Sequence, residues 1–193
     1  MGNKDLNFQE DLNNALDCLL KGGLILYPTD TIWGIGCDAR NSNAVKRIYE
    51  LKKRDDSKSM LVLTDSADSL KNLVEDVPPI AMTLIEFSEN PLTIIYERAK
   101  NVADELLASD GSLGIRVTSE SFTRELCKRL GGSLVSTSAN VSGEKSPASF
   151  QEISEEIKQG VDYIVKYRQN DNAQQKPSSI IKIGKEGVFK ILR

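Results

Sequence analysis

Short apolar runs alternating with helix-period segments are what most constrain the fold of this 193-residue chain. "LILY" at 24–27, "MLVLT" at 60–64, "PLTIIYER" at 91–98, "SLGIRV" at 112–117 and "SLVSTSA" at 133–139 each read as a buried strand. Between them, apolar residues recur at helical spacing. Phe8, Leu12, Ala15, Leu16 and Leu19 line one face over 8–21, and Gly22-Gly23 supplies a stop. Ala44, Val45, Ile48 and Leu51 do the same over 41–53, with Asn41, Ser42 or Asn43 available as a cap. "SADSLKNLVED", "PPIAMTLIEFSE", "SFTRELCKRL" and "SFQEISEEIKQG" read as further helices, and 102–108 as a short one. This interleaving predicts an α/β (or α+β) fold. "VDYIVKY", "SSIIKIG" and "GVFKILR" close the chain with no helix between them, which predicts antiparallel additions and a mixed sheet. The length and the absence of repeats or low-complexity linkers predict a single domain over 1–193.

Composition narrows the chemistry. The chain has no histidine, which removes the commonest general base and metal ligand and excludes Ser-His-Asp and Cys-His catalysis. Cys18, Cys37 and Cys127 are odd in number and lack ligand spacing. Neither a disulfide framework nor a zinc site is expected; thiols in a reducing cytoplasm are. No apolar run reaches the ~18 residues of a membrane span. The start, "MGNKDLNFQEDLNNALD", is polar and acidic, unlike a secretory signal, and Leu6 breaks the myristoylation pattern. The net charge of −3 argues against a coat of positive charge but permits a local basic patch.

No G-x-x-x-x-G-K-[ST] is present, and "GIG" at 34–36 lacks the third glycine of a dinucleotide fingerprint. Four other stretches offer chemistry. "PTDT" (28–31) follows a strand; its hydroxyls either cap the next turn or meet a small polar ligand at a strand end. "LKKRDDSK" (51–58) closes a helix. Its cations either complement the helix dipole in solvent or grip phosphate, Arg54 bidentately and the lysines as point charges. Arg116 lies inside an apolar strand pattern, so it faces solvent at an edge or meets an anion in a cleft. "STSANVSGEKSP" (136–147) is either a polar turn or a small-residue nest whose backbone N–H groups approach an anion. Each of the four follows or ends a regular element.

Taken in order, "YPTDTIWGIGCDA", "AVKRIYELKKR", "PLT", "SLGIRV" and "STSANVSGEKSP" resemble the YrdC-type L-threonylcarbamoyladenylate synthases, from about Leu12 to Arg193. The resemblance is to the short form, without the additional C-terminal domain. It implies a twisted mixed parallel and antiparallel sheet with flanking helices around a positively charged cavity. It implies that L-threonine, bicarbonate or CO2, and ATP (with Mg2+) give threonylcarbamoyl-AMP and pyrophosphate, for threonylcarbamoyl-adenosine in tRNA. A separate transferase complex would carry the product to tRNA. The site residues carry over by motif. Lys52 and Arg54 form K-x-R and would be catalytic, Arg54 contacting ATP, with Lys58 helping at the phosphates. Thr31, Arg116, Ser138 and Ser178 would bind threonine, Arg116 through its carboxylate. Ser112, Asn140 and Arg193 would bind nucleotide. No metal ligands are implied. K-x-R and S-x-N (Ser138, Asn140) are both intact, which favours the synthase over relatives that have lost them. The other reading is a double-stranded RNA- or tRNA-binding translation factor without turnover. The chain lacks the interleaved aromatics of single-strand RNA readers. A cytoplasmic location is expected, with no membrane partner.

Overall fold

The computed structural model describes residues 3–53, 60–171, 177–184 and 189–192, with 3–6 described as helical backbone. Helix α1 (Asn3–Leu20) buries Leu12, Ala15 and Leu19 and ends at Gly22, whose φ of +78° is open to a residue without Cβ. Strands β1 (Ile25–Tyr27) and β2 (Gly34–Gly36) form an antiparallel pair around the 28–33 turn. Helix α2 (Ser42–Leu51) starts at Asn41, whose side chain accepts the Ala44 N–H at 3.0 Å. Then come β3 (Leu61–Thr64), α3 (Leu70–Leu73), α4 (Pro79–Phe87) and β4 (Leu92–Tyr96). They are followed by β5 (Leu113–Val117), α5 (Ser121–Leu130) and β6 (Leu134–Ser138). The last elements are α6 (Glu155–Gly160), β7 (Tyr163–Ile164), β8 (Ser179–Ile183) and β9 (Phe189–Ile191).

The strands form one sheet in the order β7-β1-β2-β6-β3-β5-β4-β8-β9. Pairs β1/β7, β3/β5 and β4/β8 are parallel and the rest antiparallel, so the mixed sheet follows the sequence reading. One face packs Leu26, Ile35, Val62, Ile94, Ile115 and Val135 in a core that includes the buried residues of α2. The other face divides in two. Along half of it, Tyr27, Leu63 and Leu134 pack against α1 and α5 through Leu12, Leu19, Phe122 and Leu126. Among the described residues no helix core covers the remaining half, and the cavity lies there.

The structure adds one strand to the sequence reading and corrects several local expectations. "GIG" is itself a strand: a Cβ on Gly36 would sit 2.4 Å from the Val135 carbonyl oxygen and 2.7 Å from the Tyr27 ring, so close packing hides a strand behind low β-propensity. Residues 102–108 form only a 3-10 turn at Asp104–Leu106. The helix expected over 149–160 breaks at Ile153, which is buried in extended backbone, and restarts where Ser154 accepts the Ile157 N–H. Strand β7 is two residues long because the Asp11 carboxylate takes the N–H groups of Lys166 and Tyr167. Of the closing strands only β9 adds antiparallel. Strands β7 and β8 lie near opposite ends of the sheet, and the long connection between them lets β8 enter parallel to β4.

The three thiols are free, with Cys37 and Cys127 buried and Cys18 half-buried. Burial raises all three pKa values, that of Cys18 to about 11. A Cys18 thiolate is then only ~0.1% populated at pH 8. Alkylation of the native protein at pH 8 is expected to be slow and confined to Cys18, with all three labelled after denaturation. Rapid native labelling of Cys127, read by peptide mass spectrometry, would contradict this packing.

Candidate active site

The uncovered half of the sheet face floors a cavity of about 340 Å3. Its floor follows from strand alternation. Gly34 pairs with Ser138, Leu61 with Ser136, and Gly114 with Ile95, which sets these side chains on one face. Gly114 keeps the floor low: a Cβ there would meet Thr93 at 3.3 Å and Leu61 at 3.5 Å. Trp33 forms part of the wall and packs on Phe150, with ring centroids 4.9 Å apart. A low floor of glycines, small hydroxyls and a few aliphatic side chains, with the Arg116 guanidinium beside it, suits a small zwitterion better than an apolar ligand.

Arg116 reaches this cavity from β5 while only 3% exposed. Its Nη2 lies 3.0 Å from Asp30 Oδ1, and both side chains are buried. Nη2 also donates to Thr31 Oγ1 at 3.3 Å. Asp30 Oδ2 in turn accepts the Ser119 N–H at 3.4 Å. A buried guanidinium is tolerable only with such an anion beside it. Across the floor, Thr93 and Ser178 share a hydrogen bond of 2.9 Å between buried hydroxyls.

Lys52 lies at the end of α2 and is 1% exposed. Its ammonium donates to the carbonyls of Ser138 and Asn140. The Lys52 carbonyl accepts the Ser142 N–H at 2.9 Å, so one residue holds the 138–142 turn from two sides. Within that turn the Asn140 amide donates to the carbonyls of Val141 (2.8 Å) and Glu144 (2.9 Å).

The family described as Telomere recombination (Sua5, YciO and YrdC) matches residues 17–193. The chain belongs to the Sua5/YciO/YrdC family. It is 33% identical over 175 residues to a threonylcarbamoyl-AMP synthase of Pseudoalteromonas translucida, covering 89% of this chain and 92% of that one. Among solved structures it resembles E. coli YciO, with a TM-score of 0.82 and 26% identity over 96% of this chain and 89% of that one. It also resembles P. abyssi Sua5 complexed with L-threonine, with a TM-score of 0.81 and 25% identity over 94% of this chain. It spans about half of that Sua5 chain (53%).

On this family fold, Thr31, Arg116, Ser138 and Ser178 come together as cavity lining. Lys52 and Asn140 lie behind the wall and build the S-x-N turn. Ser112 immediately precedes β5, two residues before Gly114, off the cavity lining; its N–H and hydroxyl both go to Asp110. Lys182 and Ser112 together hold the Asp110 carboxyl well below the usual range. Arg54, Lys58 and Arg193 lie outside the described residues. Asp30, Thr93 and Ser136 join the site without being singled out by the sequence motifs. The signal for Thr93 was a hydroxyl in a buried strand, alternating with Ile94.

Lys52→Ala is expected to destabilise the protein by ~2–4 kcal/mol, because it removes charged hydrogen bonds and leaves two carbonyls to resolvate. Urea unfolding at neutral pH checks this. A loss under ~0.5 kcal/mol, the size of an ordinary surface change, would remove Lys52 as the post of the turn.

Proposed function

We propose that the chain is an L-threonylcarbamoyladenylate synthase, which joins L-threonine, CO2 (from bicarbonate) and ATP and releases pyrophosphate. The observation that carries this reading is the buried Arg116 beside Thr31 in an amino-acid-sized cavity. Shared sequence with a named synthase along nearly all of both chains supports it. The intact K-x-R and S-x-N motifs favour it over relatives that share only the fold.

The carboxylate of threonine meets Arg116. Asp30 offsets the cost of burying that cation, and a guanidinium has donors enough for a second carboxylate. The neutral threonine amine attacks CO2 and its nitrogen loses a proton to solvent, which gives a carbamate. A carbamate oxygen attacks the α-phosphorus of ATP, the bond to the bridging oxygen breaks, and pyrophosphate leaves. None of these steps needs an imidazole. Holding carbamate and phosphorus in line can contribute ~7–11 kcal/mol. Charge on the phosphoryl oxygens falls to Arg54 and Lys58, with Lys52 fixing the turn that carries Ser138 and Asn140. Ser112, Asn140 and Arg193 belong to the nucleotide side and Ser178 to the threonine side. Among the described residues no group of three or more His, Cys, Asp or Glu side chains is placed to hold a metal. Mg2+ would be held by the ATP phosphates and would offset the charge that develops on them. The product feeds threonylcarbamoyl-adenosine formation in tRNA through a separate transferase complex, in the cytoplasm. Among the described residues no helix is long and apolar enough to cross a membrane.

Incubation with ATP, L-threonine and 13C-bicarbonate is expected to yield threonylcarbamoyl-AMP carrying one 13C, read by mass spectrometry. Arg116→Ala is expected to raise the threonine KM at least ~10-fold, with a smaller effect on the ATP KM. No labelled product from the unaltered protein would refute the synthase reading, and equal KM effects would refute the role of Arg116.

A further inference from the structure

The hydroxyls of the 28–31 turn can be assigned proton by proton. A hydroxyl has one proton to donate and two lone pairs to accept. Thr29 Oγ1 lies 2.7 Å from the Ile32 carbonyl oxygen, which only accepts, so the Thr29 proton is committed there. The same Thr29 oxygen accepts the Thr31 N–H at 3.0 Å. It also lies 3.0 Å from Thr31 Oγ1. With Thr29's proton spent, Thr31 must be the donor in that contact. Thr29 Oγ1 is then saturated, with one bond donated and two accepted.

The consequence falls on Thr31. Its only hydroxyl proton points back to Thr29, and Arg116 Nη2 donates to one of its lone pairs. Its remaining lone pair is what it offers the cavity it lines. We propose that Thr29 is a positioning residue: it fixes the Thr31 proton, so that Thr31 meets the amino-acid ligand as a hydrogen-bond acceptor. Thr31 therefore takes an N–H or O–H of the ligand and repels its carboxylate, while Arg116 beside it attracts that carboxylate. An acceptor and a cation 3.3 Å apart sort the two ends of an amino acid. Thr29 does this from 3% exposure and off the lining of that cavity. The inference rests on the threonine-site reading above.

A double-mutant cycle on the full chain tests it. Calorimetric Kd for L-threonine, and KM for threonine and ATP, are measured for the unaltered protein, Thr29→Val, Thr29→Ser, Thr31→Val and the Thr29→Val/Thr31→Val pair. Thr29→Ala replaces the valine variant if thermal melting shows that it does not fold. Thr29→Val is expected to weaken threonine ~5–10-fold with the ATP KM within about twofold, the loss of one well-made hydrogen bond. Thr29→Ser is expected to restore binding, and Thr29→Val to add under about twofold once Thr31 is valine. Independent effects at the two positions, or no rescue by serine, would overturn the proposal. If the unaltered protein binds threonine without turnover, the cycle is read in Kd and only the synthase reading falls. If it does not bind threonine, both fall.

Discussion

The cavity depends on one buried ion pair, Arg116 with Asp30, which ties the centre of the sheet to the turn after β1. A guanidinium in a strand core would ordinarily be driven to the surface, because removing its hydration costs several kcal/mol, about what a partner must return. Asp30 supplies that return from a turn eighty-odd residues earlier in the chain. The pair therefore holds the turn against β5 and aims a cation into the cavity at once. Thr31 stands beside Asp30 in sequence and is carried to the same guanidinium.

That cavity exists because one sheet face is only half covered. Helices α1 and α5 bury Tyr27, Leu63 and Leu134, and beyond them the same face changes character. Gly34, Gly114, Thr93 and Ser136 replace bulky apolar residues. Small and hydroxylic side chains leave volume and supply donors and acceptors, so the open half reads as a ligand floor rather than a defect in the core. The wall is stiffened from outside: Lys52 pins the 138–142 turn, and Asn140 spends its amide inside it. Without histidine, such a site works by placing cations and oxygens, a form of catalysis suited to phosphoryl and carboxyl chemistry.

The sequence made the periodic elements legible, and the motifs made the family legible. Helices α1, α2 and α5 announce themselves because their apolar stripes match their caps and stops. Strand β2 does not, since Gly36 is there for its close approach to Val135 and Tyr27, and Gly34 for its approach to Thr137, Ser136 and Thr29, which no local pattern records. Strand β7 is shorter than its apolar run suggests because the competitor for the backbone N–H groups, Asp11, lies on α1. Arg116 stood out as a cation within an apolar run, but its anion did not, because ion pairing across such a separation leaves no spacing signature. Lys52 stood out as part of a basic cluster, yet its service to two carbonyls is a tertiary fact.

A crystal structure of the protein soaked with L-threonine is the decisive experiment for the threonine site. Threonine is expected in the 340 Å3 cavity with its carboxylate within hydrogen-bond distance of Arg116. Threonine bound elsewhere, such as the groove between α1 and residues 163–171, with the cavity empty, would contradict it.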